Sequence, residues 1–378
     1  MDIKKFVAEH TAEMYNLHRE LCLIPAPSHH EERRAEFCKA WFDKNLGEGA
    51  YIDEALNVIF PYQTEDSAAI TLMTAHTDTV FPDMEYPMPF SDDGEFLRSP
   101  GVGDDTASLA ILMLVAKYFV ENKIKTAGGV LFVANSCEEG LGNLKGIRQI
   151  MKDFDGRVLH HITFDAKIPG VTSKCVGSHR YRVTVRTEGG HSWGAFGKKN
   201  AIAALSAIAC DIYAIELPKK EGARVTFNIG TISGGTSVNT IAQNAEMLCE
   251  YRSDDKELLA FMEQRFREIF EAHRSDEVSV EVEKVGDRPC MGEIAEGRQE
   301  ALAELAGALV REIYGKEPVY GRGSTDCNIP LSLGIPAISV GVYKGGGTHT
   351  REEWVEKASM VPGLEFGIAI TLAVSDAE

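Results

Sequence analysis

Three short runs, AAITLMTAH, GGVLFVANS and RVLHHITFD, are largely apolar and rich in β-branched and aromatic residues. A run that does not alternate with polar residues must be covered on both faces, as the inner strands of a parallel sheet are. Between and after them lie helical stretches: GDDTASLAILMLVAKYFVENK opens as a loop and continues as a helix apolar on most sides, and LGNLKGIRQIMKDF is a second helix. This alternation predicts an α/β layer around a mostly parallel central sheet. Each run also ends on polar groups: His76 and Asp78 after the first, Glu138 and Glu139 after the second, Asp165 at the end of the third. Such groups are delivered to one rim of the sheet, where side chains from distant segments converge.

Near residue 178 the texture changes. HRYRVTVRTEG alternates apolar and polar residues as a half-exposed strand does, and NAIAALSAIACDIYAIEL follows as a helix. RVTFNIGTISGG and NAEMLCEYRS read as two more strands, KELLAFMEQRFREIFEAH as a helix and EVSVEVEKV as a closing strand. The order β-α-β-β-α-β is that of a split βαβ, ferredoxin-like sandwich with one open sheet face. It predicts a unit over residues 178–288 inserted into a domain formed by 1–177 and 289–378. The helix EALAELAGALVREIYG, the strand PAISVGV and a final helix complete the first domain. At 378 residues the chain is long enough for two cores. Upstream, Ser28 with Glu31 three residues on predicts a capping box before the second helix.

The 57 acidic residues outnumber the 39 basic ones, and a formal charge of −18 repels phosphate backbones and anionic membrane surfaces. Neither nucleic acid nor a membrane is expected as a partner. No run approaches the eighteen apolar residues of a span, and the amphipathic start lacks the apolar stretch and cleavage site of a secretory signal. The eight cysteines form no CxxC pair, which reads as reduced thiols in a cytoplasmic protein.

The polar groups at the rim have metal-binding chemistry. A neutral imidazole at His76 can ligate an ion, and a carboxylate two residues on, at Asp78, can orient that ring. Asp104 and Asp105 in GVGDDTAS and Glu138 and Glu139 in SCEEG would repel within each pair if buried without cations. Two divalent ions remove the conflict, because one carboxylate can bridge them while another stays free as a base. Taken singly, each segment is also explained by a polar strand end or a solvated acidic loop.

Six segments in this order, HTDTV, GVGDDTASLA, EEG after an apolar strand, FDA, GGHSWGAFGKKNAI and GTHTREEWV, resemble the dinuclear zinc hydrolase family of peptidase T, carboxypeptidase G, aminoacylase and succinyl-diaminopimelate desuccinylase. The resemblance covers nearly the whole chain. It implies a zinc-exopeptidase-like catalytic domain and an inserted dimerisation domain. It also implies two divalent ions, zinc with manganese or cobalt as alternatives, held by His76, Asp104, Glu139, Asp165 and His349. Asp104 would bridge, with a cis bond to Asp105 as is often found in the family. Asp78 would orient His76, and Glu138 would activate a water held between the ions. His191, in GGHSWG, matches a histidine that family members supply across a homodimer to the tetrahedral intermediate. Asn239, Arg252 and, more weakly, Arg322 match polar groups that contact substrate.

The position of Asp165 tends to be aspartate in the family's aminopeptidases and dipeptidases, and glutamate in its carboxypeptidases and deacylases. Peptide hydrolysis in the manner of peptidase T is therefore the leading expectation, on short peptides as substrate. An N-acyl-amino-acid amidohydrolase is the alternative, and a non-catalytic metal-binding homologue the rival from another class.

Overall fold

The computed structural model of the chain describes residues 2–376 apart from 66. Two compact units emerge, Met1–Cys175 with Gly292–Glu378, and Val176–Met291.

The first unit is built on an eight-stranded sheet, in the spatial order 51–52, 58–62, 129–135, 70–76, 158–167, 337–343, 170–175 and 319–323. Its four inner strands, 129–135, 70–76, 158–167 and 337–343, run parallel. Three of them are buried at every position, the condition that the unalternating apolar runs impose. Successive side chains point to opposite faces. Met73, Ala75, Phe132 and Ala134 face one core with helices Ile3–Leu23, Thr106–Glu121 and Met360–Val374. Ile70, Leu72, Leu131 and Val133 face another with helix Lys145–Asp153. The helix Thr106–Glu121 is buried from Thr106 through Phe119, in line with an apolar surface on most sides.

Two outer pairs of strands, 51–52 with 58–62 and 170–175 with 319–323, were not legible as such. They are short or polar on one side, and Pro61 interrupts one. The capping box is also replaced. Helix Glu32–Leu46 starts at Glu31 with no side-chain cap, because the Ser28 hydroxyl donates instead to Asp78 and the Glu31 carboxylate accepts the Cys137 amide.

One stretch among the described residues, Lys357–Val374, is long and apolar enough to cross a membrane. Its Met360, Leu364, Phe366, Ile368 and Ile370 belong to the buried core, as the central helix of a folded layer requires. All eight cysteines are free thiols, and Cys210 alone is exposed.

The second unit has a four-stranded antiparallel sheet in the order 225–234, 244–253, 177–186, 279–288. Helices Ala201–Tyr213 and Lys256–Ala272 start on Asn200 and Asp255, whose side chains accept the first free amides. They pack Leu205, Ile208, Met262 and Phe266 on Val183, Val185, Met247 and Tyr251. The other face is lined by cross-strand charges such as Arg182 with Glu283 at 2.7 Å, so within this unit the helices cover one side of the sheet.

Helix Met360–Val374 approaches the 337–343 strand through Gly363, where a Cβ would lie 1.7 Å from the Val342 carbonyl oxygen. Backbone cannot yield as a flexible side chain does. Gly363→Ala is therefore expected to cost about 3 kcal/mol or more, at or above the upper end of ordinary overpacking, read as a lower urea midpoint for the first unit.

Candidate metal centre

Parallel strands that end together leave a rim at their carboxyl ends, the usual place for a site in an open α/β sheet. His76 is the last residue of the 70–76 strand, and the Ser136–Glu139 segment leaves the neighbouring 129–135 strand. His349 sits in the loop after the 337–343 strand, with φ +63°. Asp104 precedes the Thr106–Glu121 helix, joined to Asp105 by a cis peptide bond. Asp165 lies in a bulge: Thr163 pairs with Ser339 but Ala166 with Gly341, so the 158–167 strand carries an extra residue here. A bulge re-aims the side chains around it.

Buried carboxylates and amides hold these segments in place. Asp78, wholly buried, accepts the Glu138 and Glu139 amides at 2.9 Å each and the Ser28 hydroxyl at 2.6 Å. Its Oδ1 lies 3.3 Å from His76 Nδ1, and the same ring nitrogen is 3.0 Å from the Asp78 carbonyl oxygen, which fixes Nδ1 as donor. The amides of Ser136 and Cys137 donate to Asn57 Oδ1 and Glu31 Oε1, both at 3.0 Å. Four consecutive amides of one loop thus end on side-chain acceptors. Asp105 Oδ2 accepts the His76 amide at 3.0 Å.

Glu353, which the sequence reading passed over, ties two loops together. Its buried carboxylate accepts the amides of Gly101, Gly103 and Asp104 at 3.0, 3.2 and 2.9 Å. It lies four residues beyond His349, so the loops carrying Asp104 and His349 are held by one side chain. The available signal was a second glutamate in TREEW that no exposed turn needed.

The functional side chains meet above this frame. His76 Nε2 is 3.1 Å from Asp104 Oδ1. His349 Nε2 is 2.9 Å from Glu139 Oε1 and 3.3 Å from Asp104 Oδ2. Three groups have donor atoms all within 4.8 Å of one another: His76, Asp104 and Asp165; Asp104, Glu139 and His349; and His76, Glu138 and Glu139. The first two share Asp104. Imidazole and carboxylate donors at this spacing suit a divalent ion about 2.0–2.2 Å from each.

The sequence profile described as Peptidase family M20/M25/M40 matches residues 72–372. The chain belongs to that family. A protein of Aspergillus clavatus named "Probable carboxypeptidase" is 24% identical over 261 residues, covering 63% of this chain and 62% of the relative. The chain thus matches less than two thirds of that relative's length. Among solved structures, the aminopeptidase PepT of Bacillus cereus is similar at TM-score 0.70 and 21% identity, over 95% of this chain and 97% of that one. A metallo-carboxypeptidase of Sulfolobus solfataricus is similar at TM-score 0.75 and 12% identity, over 95% and 98%. These likenesses establish the fold.

As in the M20/M25/M40 family at large, which is metal-dependent, the electrostatics of the centre call for cations. Burial, then Asp104, Glu138 and Asp105, push the Asp165 carboxyl well above the usual range. Burial also raises Asp104, but the His349 and His76 rings bonded to it more than offset this and hold it low. Desolvation leaves Glu353 near 7 despite its three amide donors.

Of the remaining predicted residues, His191, Asn239 and Arg252 belong to the second unit and Arg322 to the first. His191 is exposed in a two-residue strand paired with Thr240–Ile241. Its Nδ1 accepts the amides of Trp193 and Gly194 at 3.3 and 3.4 Å, which leaves Nε2 to carry the proton. Asn239, in the same second unit, accepts the Ser192 amide through its backbone and the Ser237 hydroxyl through its side chain. The Arg252 fork is engaged by Glu250, at 2.7 and 3.0 Å. Arg322 is on the 319–323 strand at the sheet edge, two strands beyond 337–343.

Removing the Glu353 carboxylate frees the Asp104 loop, and Glu353→Ala is expected to weaken divalent-ion affinity by about 10- to 100-fold in chelator competition. Bonds to Asp104 and Glu139 raise the His349 pKa from 6.5 to about 10. In the ion-free protein the stabilisation this supplies is full below about pH 6.5 and disappears as pH rises through about 10. Denaturation of ion-free protein should show that loss, and His349→Ala should flatten it. An ion needs the neutral ring, so calorimetry at neutral pH in buffers of different ionisation enthalpy should show proton release on loading.

Proposed function

We propose that the chain hydrolyses an amide bond in short peptides, as a di- or tripeptidase or aminopeptidase, with Glu138 as general base. The observation that carries this is the pair of three-residue donor groups sharing Asp104, with Glu138 grouped beside His76 and Glu139. In this reading His76, Asp104 and Asp165 hold one divalent ion, and Asp104, Glu139 and His349 the other. Nitrogen and oxygen donors suit zinc, with manganese or cobalt as substitutes. When bound, such ions supply Lewis acidity, polarising the scissile carbonyl and lowering the pKa of water.

The chain's own groups do the rest. Glu138 takes the proton of the attacking water and returns it to the leaving amine. Asp78 fixes the imidazole tautomer of His76 and, through two amides, the position of Glu138. His191, with Nε2 free to donate, is the candidate partner for the developing oxyanion. Following the family resemblance, we assign it to a homodimer in which the second unit, 178–288 in the sequence reading, is the dimerisation domain. Large apolar side chains near His191 support a covered face: Trp193 is 89% exposed, Phe196 91% and Val238 fully. Asn239 and Arg322 remain candidate substrate contacts, Arg252 once released from Glu250. Eight free thiols support a cytoplasmic location.

A panel of free di- and tripeptides against N-acetyl and N-succinyl amino acids tests the substrate class. Preferred turnover of the acylated set would replace the peptidase reading with the amidohydrolase one. Chelation is expected to abolish turnover and zinc, manganese or cobalt to restore it. Glu138→Ala should lose about 10²–10⁴-fold in kcat at unchanged metal content; full activity would remove Glu138 from the mechanism.

A further inference from the structure

We infer that Lys167, together with Thr348, binds the terminal carboxylate of a short peptide substrate, an inference that rests on the peptidase reading above. Lys167 ends the strand that carries Asp165, where that strand passes from buried residues at 161–164 to half-exposed ones at 165–167. Its ammonium donates to the Thr348 hydroxyl, and Thr348 immediately precedes His349. The cation is thus two residues from the candidate ligand Asp165, and its hydroxyl partner adjoins the candidate ligand His349.

What sets Lys167 apart is its partner. Three cations on the segments around His349 are matched by carboxylates: Lys344 by Glu356 at 3.2 Å, Arg351 by Asp83 at 2.8 Å and Lys357 by Asp92 at 2.7 Å. Arg34, beneath the rim, spends its guanidinium on the carbonyls of Thr77, Leu21 and Ile24. Arg252, on the second unit, is already held by Glu250. Lys167 instead meets a hydroxyl, which accepts one of its three hydrogens and keeps its own to donate. An ammonium with hydrogens to spare and a hydroxyl beside it form a pair of donors for a carboxylate.

Two divalent ions would balance the four carboxylates of Asp104, Glu138, Glu139 and Asp165, so the centre would not consume the charge of Lys167. Each peptide residue spans at most about 3.6 Å. A carboxylate held beside Thr348 is thus a residue or two from a carbonyl at the centre. That distance selects di- and tripeptides with a free carboxyl terminus over long chains and over amides.

The test compares Leu-Gly-Gly with Leu-Gly-Gly-amide on the metal-loaded enzyme, with metal content measured for every variant. For the free acid, Lys167→Met should raise KM by about 10- to 100-fold, the loss of a charge-assisted bond, with kcat within about twofold. For the amide it should change neither parameter, and Lys167→Arg should retain most of the preference for the acid. Equal losses on both substrates, or no loss on either, would overturn the assignment and leave Lys167 as a support for the His349 loop. If the wild type cleaves neither substrate, the peptidase reading fails, and calorimetry then judges Lys167 separately. N-acetylglycine should bind the zinc-loaded wild type more tightly than Lys167→Met, whereas N-acetylglycinamide should not distinguish them. Equal binding of N-acetylglycine by both proteins would overturn the inference.

Discussion

One buried carboxylate organises the centre. Asp78 takes the amides of Glu138 and Glu139, the Ser28 hydroxyl and the flank of the His76 ring, so segments from three parts of the chain are fixed relative to one side chain. Burial alone would drive this acid towards its neutral form. The His76 imidazole, the Ser28 hydroxyl and the Glu139 amide outweigh that and hold it below the usual carboxylate range. A neutral Asp78 would lose acceptor strength toward every one of these donors at once. The placement of the proposed base and of two candidate ligands therefore shares a single electrostatic origin.

The sheet makes this economy workable. Parallel strands bring residues separated by long stretches of sequence to one rim without any of those stretches having to form a continuous motif. The rim is then finished by devices local to each strand end: a bulge at Asp165, a left-handed residue at His349, and a glutamate clamp on the Asp104 loop. Rigidity comes from the core beneath, where strands 70–76, 129–135 and 337–343 are buried throughout.

Much of this was legible in the sequence, for physical reasons that differ by residue. The inner strands announced themselves because burial on both faces forbids polar alternation, and the second unit because a one-sided sheet requires it. His76, Asp104, Glu138, Glu139, Asp165 and His349 stood out through the ordered motifs of the family resemblance, since a polar strand end or an acidic loop taken singly has an ordinary explanation. Glu353 and Lys167 did not, since one glutamate in REEW and one lysine in AKIP look like ordinary surface charge until the fold shows what they touch. Ser28 and Glu31 misled, because a capping box and a long-range support use the same residue types. Only the tertiary structure determines whether their oxygens turn to their own helix or to a distant loop.

The loop from Ser136 to Glu139 has a further consequence. All four of its backbone donors are committed to Asn57, Glu31 and Asp78. Many hydrolases stabilise negative charge on the substrate oxygen with main-chain N–H groups next to their reactive side chain. Here that resource is used up in holding the loop together. The loop can offer acidity and basicity through its side chains but no electrophilic backbone, so charge appearing on the substrate must be met by groups that other segments, or bound cations, bring to it.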